Sequence, residues 1–336
     1  MTESTSPPQA ELERVRAGCA ALQASIAERF LGHEDVVELL VSCVITDGHA
    51  LLEGAPGLGK TTLVKSLATA LGLSFHRVQF TPDLMPGDIL GLRILDEDSA
   101  GHRSFRFEEG PIFTQILLAD EVNRATPRTQ SALLEAMAEH QVTMFGETRA
   151  LPHPFFVIAT QNPIEMEGTY PLPEAQLDRF LCKIELSSPN EADLIRILEA
   201  TSGAPASRAA KAQVAPAFDG DLLAAMRRLT AEMPTSSDVT RLAARTVLYT
   251  DPSRDDAPDD VKRYLRFGSS PRGGQALLRL ARARALLQGR PWVSDEDVAA
   301  IAGPALRHRL VFSYEGEASG VHADELVRAA FEKARG

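Results

Sequence analysis

The apolar positions of this chain follow two different patterns, which meet near residue 187. Before that point, short apolar runs typical of buried strands alternate with stretches in which apolar residues recur every three or four positions, the spacing of a helix. After it, only the helical spacing remains. Alternating strands and helices favour a parallel sheet covered by helices, so we predict an α/β fold followed by an all-helical region. The strands are predicted over 50–52, 74–80, 116–119, 155–160 and 181–186.

The polar, proline-containing stretch 187–191 is the best candidate for a domain boundary. We therefore predict an unstructured tail over 1–8, an α/β core over 9–187 and a smaller helical domain over 188–336. Within the core, alternating residues around an acidic turn predict an inserted hairpin near 87–107. Such a hairpin is as compatible with a solvated surface loop as with a partner-binding element.

The strongest motif lies between the first predicted strand and the helix that follows it. Gly54, Gly59, Lys60 and Thr61 fill the fixed positions of the phosphate-loop pattern G-x-x-x-x-G-K-[ST]. The glycines let the backbone N–H groups approach a phosphate, Lys60 adds a cation, and the Thr61 hydroxyl can hold Mg²⁺. The chain is therefore expected to bind a nucleoside triphosphate with magnesium. The binding residues that we predict are Gly54, Ala55, Pro56, Gly57, Leu58, Gly59, Lys60, Thr61 and Thr62.

Two carboxylates end the strand predicted at 116–119. Asp120 and Glu121 come directly after four apolar residues, and ligands of open α/β sheets gather at the carboxyl ends of strands. We predict that Asp120 holds the magnesium ion, with Thr61, and that Glu121 polarises the attacking water. Taken alone, an apolar run before Asp-Glu is a weak signal. Sixty residues after Lys60, it indicates a hydrolytic site.

Asn162 follows the next buried strand and precedes a proline. Its uncharged amide could orient the hydrolytic water beside the terminal phosphate. From its spacing alone, however, an asparagine before proline is more typical of a turn.

Composition restricts the possible partners and compartments. A net charge of −11 argues against a general affinity for nucleic-acid backbones. The three cysteines, Cys19, Cys43 and Cys182, lack metal-binding spacing and predict reduced, mostly buried thiols. The first ten residues do not form a signal peptide, and the apolar runs are too short to cross a membrane, so a cytoplasmic protein is expected. Trp292 is expected in the core.

Five motifs of this sequence together resemble those of the AAA+ ATPases of the MoxR type. The similarity covers nearly the whole chain, from about residue 10 to about residue 315. The resemblance implies an AAA+ phosphate-loop core followed by a smaller helical lid, with ATP and Mg²⁺ as cofactors. The motifs are GAPGLGKT at 54–61, LLADEVNR at 117–124, ATQNP at 159–163, PEAQLDRF at 173–180 and SSPRG at 269–273.

The resemblance also implies roles for individual residues. Asn162 matches the first sensor, which reports the terminal phosphate, and Arg272 matches the second sensor on the lid. Arg179 matches the arginine finger, which reaches the ATP of a neighbouring subunit. Gln79 matches the polar residue that switches Glu121 between states. From spacing alone, both arginines would be assigned to surface ion pairs.

The function implied by the resemblance is an oligomeric machine, usually a ring of six subunits, that remodels or matures a partner protein. The implied partner carries a von Willebrand factor A-type domain, and the surfaces that move are the hairpin at 87–107 and the loop at 165–172. A motor subunit of a metal-chelatase-like complex is an alternative. A nucleic-acid motor is disfavoured by the net charge, and a scaffold without hydrolysis is disfavoured by the Asp-Glu pair.

Overall fold

Five parallel strands form the central sheet of the protein, as the computed structural model shows. It describes residues 9–27, 30, 33–97, 103–162, 168–202 and 220–336. The predicted tail at 1–8, the tip of the inserted hairpin and the first part of the loop at 165–172 lie outside these residues. The strands are β1 Ala50–Gly54, β2 Phe75–Gln79, β5 Ile116–Asp120, β8 Phe156–Gln161 and β9 Cys182–Leu186. Their order in the sheet is β2-β5-β8-β1-β9.

Helices cover both faces of this sheet because successive residues of each strand point to opposite sides. Leu118 and Ile158 pack with the first three helices, whereas Leu117 and Val157 pack on the other face with the helix Pro127–Glu139. Burial on both faces explains why the strands are continuous apolar runs. The helices of this part are α1 Gln9–Ala27, α2 Glu34–Ile45, α3 Lys60–Leu71, α4 Pro86–Leu90, α5 Pro127–Glu139 and α6 Glu174–Leu177.

Two antiparallel hairpins stand outside the central sheet. The first pairs β3 Gly91–Glu97 with β4 Arg103–Glu109, and the second pairs β6 Gln141–Met144 with β7 Glu147–Ala150. Both were predicted, and the structure confirms them. The short helix α4, which precedes the first hairpin, was not predicted because its proline and glycine read as a loop.

The second part of the chain is helical, which confirms the predicted fold class. It adds a two-stranded ladder that was not predicted, β10 Leu265–Phe267 with β11 Val311–Phe312. The expectation for Trp292 was wrong, since that residue is 57% exposed. The division of the chain at residue 187 stays a prediction. The helices are α7 Glu191–Ser202, α8 Gly220–Glu232, α9 Ser237–Leu248, α10 Asp259–Tyr264, α11 Pro271–Leu287, α12 Asp295–Leu306, α13 Tyr314–Ser319 and α14 Ala323–Arg335.

Two further expectations concern burial and membrane contact. All three cysteines are buried, as predicted. Within the part of the chain that the structure describes, none of the helices combines the length and the apolar character needed to cross a bilayer.

A short 3-10 helix, Arg307–Arg309, ties the helical part to edge strand β9. Arg307 forms an ion pair with Glu185, near the carboxyl end of β9, at 3.2 Å. Arg309 forms an ion pair with Asp178, before the amino end of β9, at 2.8 Å. The segment therefore contacts the core on either side of this strand.

Two buried histidines join separate elements through their neutral rings. His49, before β1, bonds the Met137 carbonyl through Nε2 and accepts the Val157 N–H at Nδ1, both at 3.0 Å. Burial lowers the pKa of His49 to about 4. Burial and the adjacent Arg309 also lower the pKa of His308 well below its usual value. Both rings are therefore neutral throughout the physiological pH range.

The folded protein should lose stability as the pH falls below neutrality. The unfolded chain binds a proton at His49 near pH 6.5, whereas the folded chain binds it only near pH 4. The free energy of unfolding should therefore fall by about 2 kcal/mol between pH 8 and pH 5 because of His49 alone, with His308 adding in the same direction. Guanidinium unfolding measured across this pH range tests the prediction. The variant His49→Gln should be less stable at pH 8 and less sensitive to pH, and an unchanged slope would contradict this account.

Candidate functional site

Parallel pairing brings the carboxyl ends of four strands together at one edge of the sheet, the carboxyl edge. The opposite edge, where the strands begin, is the amino edge. Gln79 is in register with Asp120, at the ends of β2 and β5. Glu53, one residue before Gly54, is in register with Gln161 on β8. The predicted phosphate loop, the carboxylate pair and Asn162 follow these positions directly, so the structure brings them to one edge.

The backbone of the phosphate loop depends on its glycines. Gly57 and Gly59 have φ values of 85° and 78°, a region that L side chains rarely adopt. Gly54 needs to be small for another reason, because a Cβ there would lie 2.9 Å from the carbonyl oxygen of Leu186. Gly59 is the N-cap of α3 and has no side chain to satisfy the first N–H groups of that helix. These N–H groups form a ready anion-binding site.

Lys60 lies at the start of α3, half-buried beside the loop. Its Nζ donates to the carbonyl oxygen of Gly54 at 2.6 Å. Burial lowers the pKa of Lys60, and the carboxylates of Asp120, Glu121 and Glu53 oppose that shift. The ammonium is thus placed among carboxylates at the sheet edge, where a phosphate would complete its hydrogen bonding.

Asp120 is buried, and both of its carboxylate oxygens accept hydrogen bonds. Its Oδ1 accepts from the Thr160 hydroxyl at 2.6 Å. Its Oδ2 accepts from Nε and Nη2 of Arg77, at 3.0 and 2.7 Å. The same Thr160 oxygen accepts the backbone N–H of Glu121 at 2.9 Å. One hydroxyl on β8 therefore fixes both acidic residues relative to each other.

Glu121 has a strained backbone and a tethered side chain. Its φ of 56° is in the left-handed region, which costs a non-glycine residue roughly 1–3 kcal/mol. Its Oε2 accepts from Gln79 Nε2 at 2.7 Å and from Arg124 Nη1 at 2.9 Å. The expected pairing of Gln79 with Glu121 is therefore present as a direct hydrogen bond. Because Glu121 directly follows β5 and Lys60 follows the loop after β1, both residues lie at the same edge of the sheet.

The donor set at this edge fits a magnesium ion. The Asp120 carboxylate and the Thr61 hydroxyl are hard oxygen ligands, which Mg²⁺ prefers in combination with water and substrate phosphates. Thr61 is partly exposed in the first turn of α3. Arg77 is the group that a cation at Asp120 would have to displace or share with.

The remaining predicted residues divide between the two edges of the sheet. Asn162 is buried one residue after β8, at the same edge as the phosphate loop. Arg179 and Arg272 lie together at the opposite edge and line one cavity of about 270 Å³. Arg179 donates to the carbonyl oxygen of Leu134 at 3.4 Å, and Arg272 lies 3.6 Å from the Asp178 carboxylate. The structure therefore separates these arginines from the other predicted site residues.

A larger cleft adjoins the phosphate loop. It has a volume of about 1020 Å³ and lies between α1 and α2 on one side and α12 and α14 on the other. Phe30 lines this cleft and reaches the phosphate loop, since a Cβ on Gly59 would be 3.4 Å from its ring. The cleft has the size of a small-molecule site and combines apolar walls with charged groups such as Arg307.

Sequence reasoning missed four residues that organise these sites. They are Arg77 and Thr160 beside Asp120, and Asp178 and Arg309 beside the two arginines. For Thr160, a hydroxyl at the carboxyl end of a strand next to β5 was an available signal. For Arg309, the sequence offered none, because its partner is 131 residues away.

The comparisons with known proteins agree with the two-part architecture. Residues 49–182 match the family described as ATPase family associated with various cellular activities (AAA). Residues 258–330 match the AAA lid domain family.

Similar proteins cover nearly the whole chain. Chaperone MoxR1 of Mycobacterium tuberculosis is 40% identical over 297 residues, which are 88% of this chain and 76% of the relative. Protein MoxR of Methylorubrum extorquens is 31% identical over an alignment of 339 positions, which covers 97% of each chain. A crystal structure of a candidate ATPase from Cytophaga hutchinsonii superposes with a TM-score of 0.89 at 34% identity, covering 97% of this chain and 96% of that one.

Removing the charge of Lys60 should weaken the affinity for nucleotide. We expect Lys60→Met to weaken the affinity for ATP by at least about 30-fold, equivalent to the ~2 kcal/mol that truncating one partner of a desolvated charge pair costs. Titration with a fluorescent ATP analogue measures this loss. Lys65→Met, on an exposed position of the same helix, is the matched control and should bind as the wild type does. Equal affinities for both variants would remove Lys60 from the site.

Proposed function

This chain belongs to the MoxR-type AAA+ ATPases, and on that basis we propose that it hydrolyses ATP in a ring of identical subunits to remodel a partner protein. The observation that carries the proposal is the separation of the candidate site residues. One group lies at the carboxyl edge of the sheet, and the two arginines lie at the amino edge.

The carboxyl edge supplies the nucleotide-binding half of the active site. The N–H groups of the phosphate loop and Lys60 would hold the phosphates, while the cleft at Phe30 would receive the base. Thr61 and Asp120 would hold Mg²⁺, which when bound neutralises charge on the phosphates. Glu121 would accept a proton from the attacking water, and Asn162 would orient that water beside the terminal phosphate.

The amino edge supplies the other half. Four guanidinium groups line the cavity there, opposed by the carboxylates of Asp47 and Asp178, which makes it attractive to an anion. The arginines are Arg179, Arg272, Arg279 and Arg309. Arg179 and Arg272 are the exposed members, so they are the ones that can reach outward.

In the proposed reaction, neither exposed arginine serves the phosphate loop of its own chain. Strand β1 separates the two edges, and its five residues span about 13 Å before the loops at either end are added. The anion that Arg179 and Arg272 would contact is therefore the terminal phosphate of ATP bound to a neighbouring subunit. Such a head-to-tail contact repeats from subunit to subunit and closes into a ring when the rotation permits.

The hairpins offer the surface for the partner protein. Leu95 and Phe105 on the first hairpin and Phe145 on the second are each more than half exposed. The guanidinium of Arg93 lies over the rings of both phenylalanines, at 5.2 and 6.0 Å, and so connects the two hairpins. Exposed apolar side chains beside a cation suit transient contact with a protein client. A von Willebrand factor A-type domain is the client that the family resemblance favours.

Replacing Glu121 by glutamine should separate binding from turnover. An amide keeps the shape of the side chain but cannot accept a proton, so ATP should still bind while kcat falls by roughly 10²–10⁴-fold. Steady-state ATPase assays and nucleotide titration give the two quantities. Glu135→Gln, on an exposed position of α5, is the matched control. An unchanged kcat in Glu121→Gln would remove this residue from the mechanism.

Activity per subunit should rise with protein concentration as rings form. We expect Arg179→Ala to assemble normally but to hydrolyse ATP about 10³-fold more slowly, because the missing cation no longer stabilises the transition state on the neighbour. ATPase assays at increasing concentration, with the assembly size measured by light scattering, test this. Arg241→Ala, an exposed arginine of α9, should behave as the wild type. Flat specific activity that does not depend on Arg179 would refute the shared site.

A further inference from the structure

Asp178 stands directly before Arg179 and has three partners in the helical part of the chain. Its Oδ1 accepts from Arg309 Nε at 2.8 Å. The Ser270 hydroxyl lies 3.1 Å from both carboxylate oxygens, and Arg272 Nη1 lies 3.6 Å from Oδ2. The Asp178 carboxylate therefore joins two segments, the turn that carries Arg179 and the start of the helix that carries Arg272.

Arg309 fixes the first of these segments. It is buried and donates to the carbonyl oxygens of Asp178, Phe180 and Leu181, at 3.3, 2.7 and 3.4 Å. These three carbonyls flank Arg179 in the chain. Burial lowers the pKa of Arg309, and the Asp178 carboxylate is the largest influence that opposes this shift. The turn that carries Arg179 is thus built around a buried cation whose charge is balanced by Asp178.

Ser270 fixes the second segment. It is the N-cap of α11, and its hydroxyl oxygen accepts the backbone N–H of Arg272 at 3.2 Å. Because the same hydroxyl donates to Asp178, the start of the helix that carries Arg272 is bonded to the turn that carries Arg179. A long, exposed arginine side chain can be directed only if its backbone is held, since its own rotamers are loosely restrained.

We propose that Asp178 is a positioning residue for hydrolysis on the neighbouring subunit, acting through Arg309 and Ser270 to hold Arg179 and Arg272 at a fixed separation. This proposal rests on the shared active site of the proposed function. In this proposal Asp178 does not contact ATP, since its carboxylate is bonded within its own chain by Arg309 and Ser270. Its contribution is to the geometry in which two cations approach one phosphate, where small displacements cost large factors in rate.

Subunit mixing distinguishes positioning from general damage. Asp178→Asn keeps the shape of the side chain and removes its charge, so we expect normal assembly, an unchanged KM for ATP and a kcat lowered on the order of 10²-fold. Mixed with Glu121→Gln subunits, which supply intact arginines, it should regain activity, because the Asp178→Asn subunits still hold an intact nucleotide half. With random mixing, about a quarter of the interfaces pair the two intact halves. A mixture of Arg179→Ala and Glu121→Gln, assayed in parallel, is the reference.

Each result of this experiment bears on the proposal. Activity regained in both mixtures supports it. Activity regained only in the Arg179→Ala mixture, or a wild-type kcat for Asp178→Asn, overturns the role of Asp178 and leaves the shared site intact. Activity regained in neither mixture overturns the shared site and this proposal with it.

A second variant decides the question if Asp178→Asn does not fold. Ser270→Ala breaks the bond from α11 to Asp178 and removes one helix N-cap. Ser236→Ala is the matched control, since it removes the N-cap of α9, whose hydroxyl accepts from the Val239 N–H at 3.1 Å. We expect kcat to fall in Ser270→Ala, with recovery on mixing with Glu121→Gln, and to stay at the wild-type value in Ser236→Ala. Equal kcat values in the two serine variants would overturn the proposal.

Discussion

Parallel pairing of five short strands is the constraint on which the arrangement of this molecule depends. Because all the strands run in one direction, their carboxyl ends form one edge and the loops that precede them form the other. The phosphate loop and the carboxylates follow strand ends, whereas Arg179 precedes a strand. Residues that the proposed reaction would need together are therefore held apart within one subunit. The proposed ring would bring them together by placing a second subunit beside the first.

Edge strand β9 is the part of the sheet through which the helical region is attached. A strand at the side of a sheet exposes unpaired backbone groups if nothing covers it. Here the 3-10 helix Arg307–Arg309 packs against the outer side of β9. Arg307 holds the carboxyl end through Glu185, and Arg309 holds the amino end through Asp178. A displacement of the helical part along this strand would therefore move contacts at both edges of the sheet, the edge with the candidate phosphate loop and the edge with Arg179 and Arg272.

Local patterns in the sequence were sufficient for most of the fold. The strands, the two hairpins and helix α5 follow from apolar runs and turn residues, because burial and backbone conformation are decided within a few residues. The phosphate loop was also recognisable, since its glycines are required by the positive φ values of the loop itself. What could not be predicted are contacts between distant segments. The hydrogen bond from Thr160 to Asp120 depends on strand order, and the contact of Arg309 with Asp178 depends on how the helical part packs against β9.

The ion pair between the buried Arg309 and the partly exposed Asp178 is better explained by orientation than by stability. Taking the Arg309 charge out of water costs free energy that its attraction to Asp178 only roughly offsets, and apolar residues of similar size often fill such positions at no loss. Arg309 nevertheless also donates to three backbone carbonyls around Arg179, in addition to its contacts with Ala305 and His308. A guanidinium has a rigid, planar set of donors, so it can specify one conformation of a turn where apolar packing would accept several. A turn that has to present a cation to another molecule needs that single conformation, and a turn that only connects α6 to β9 does not.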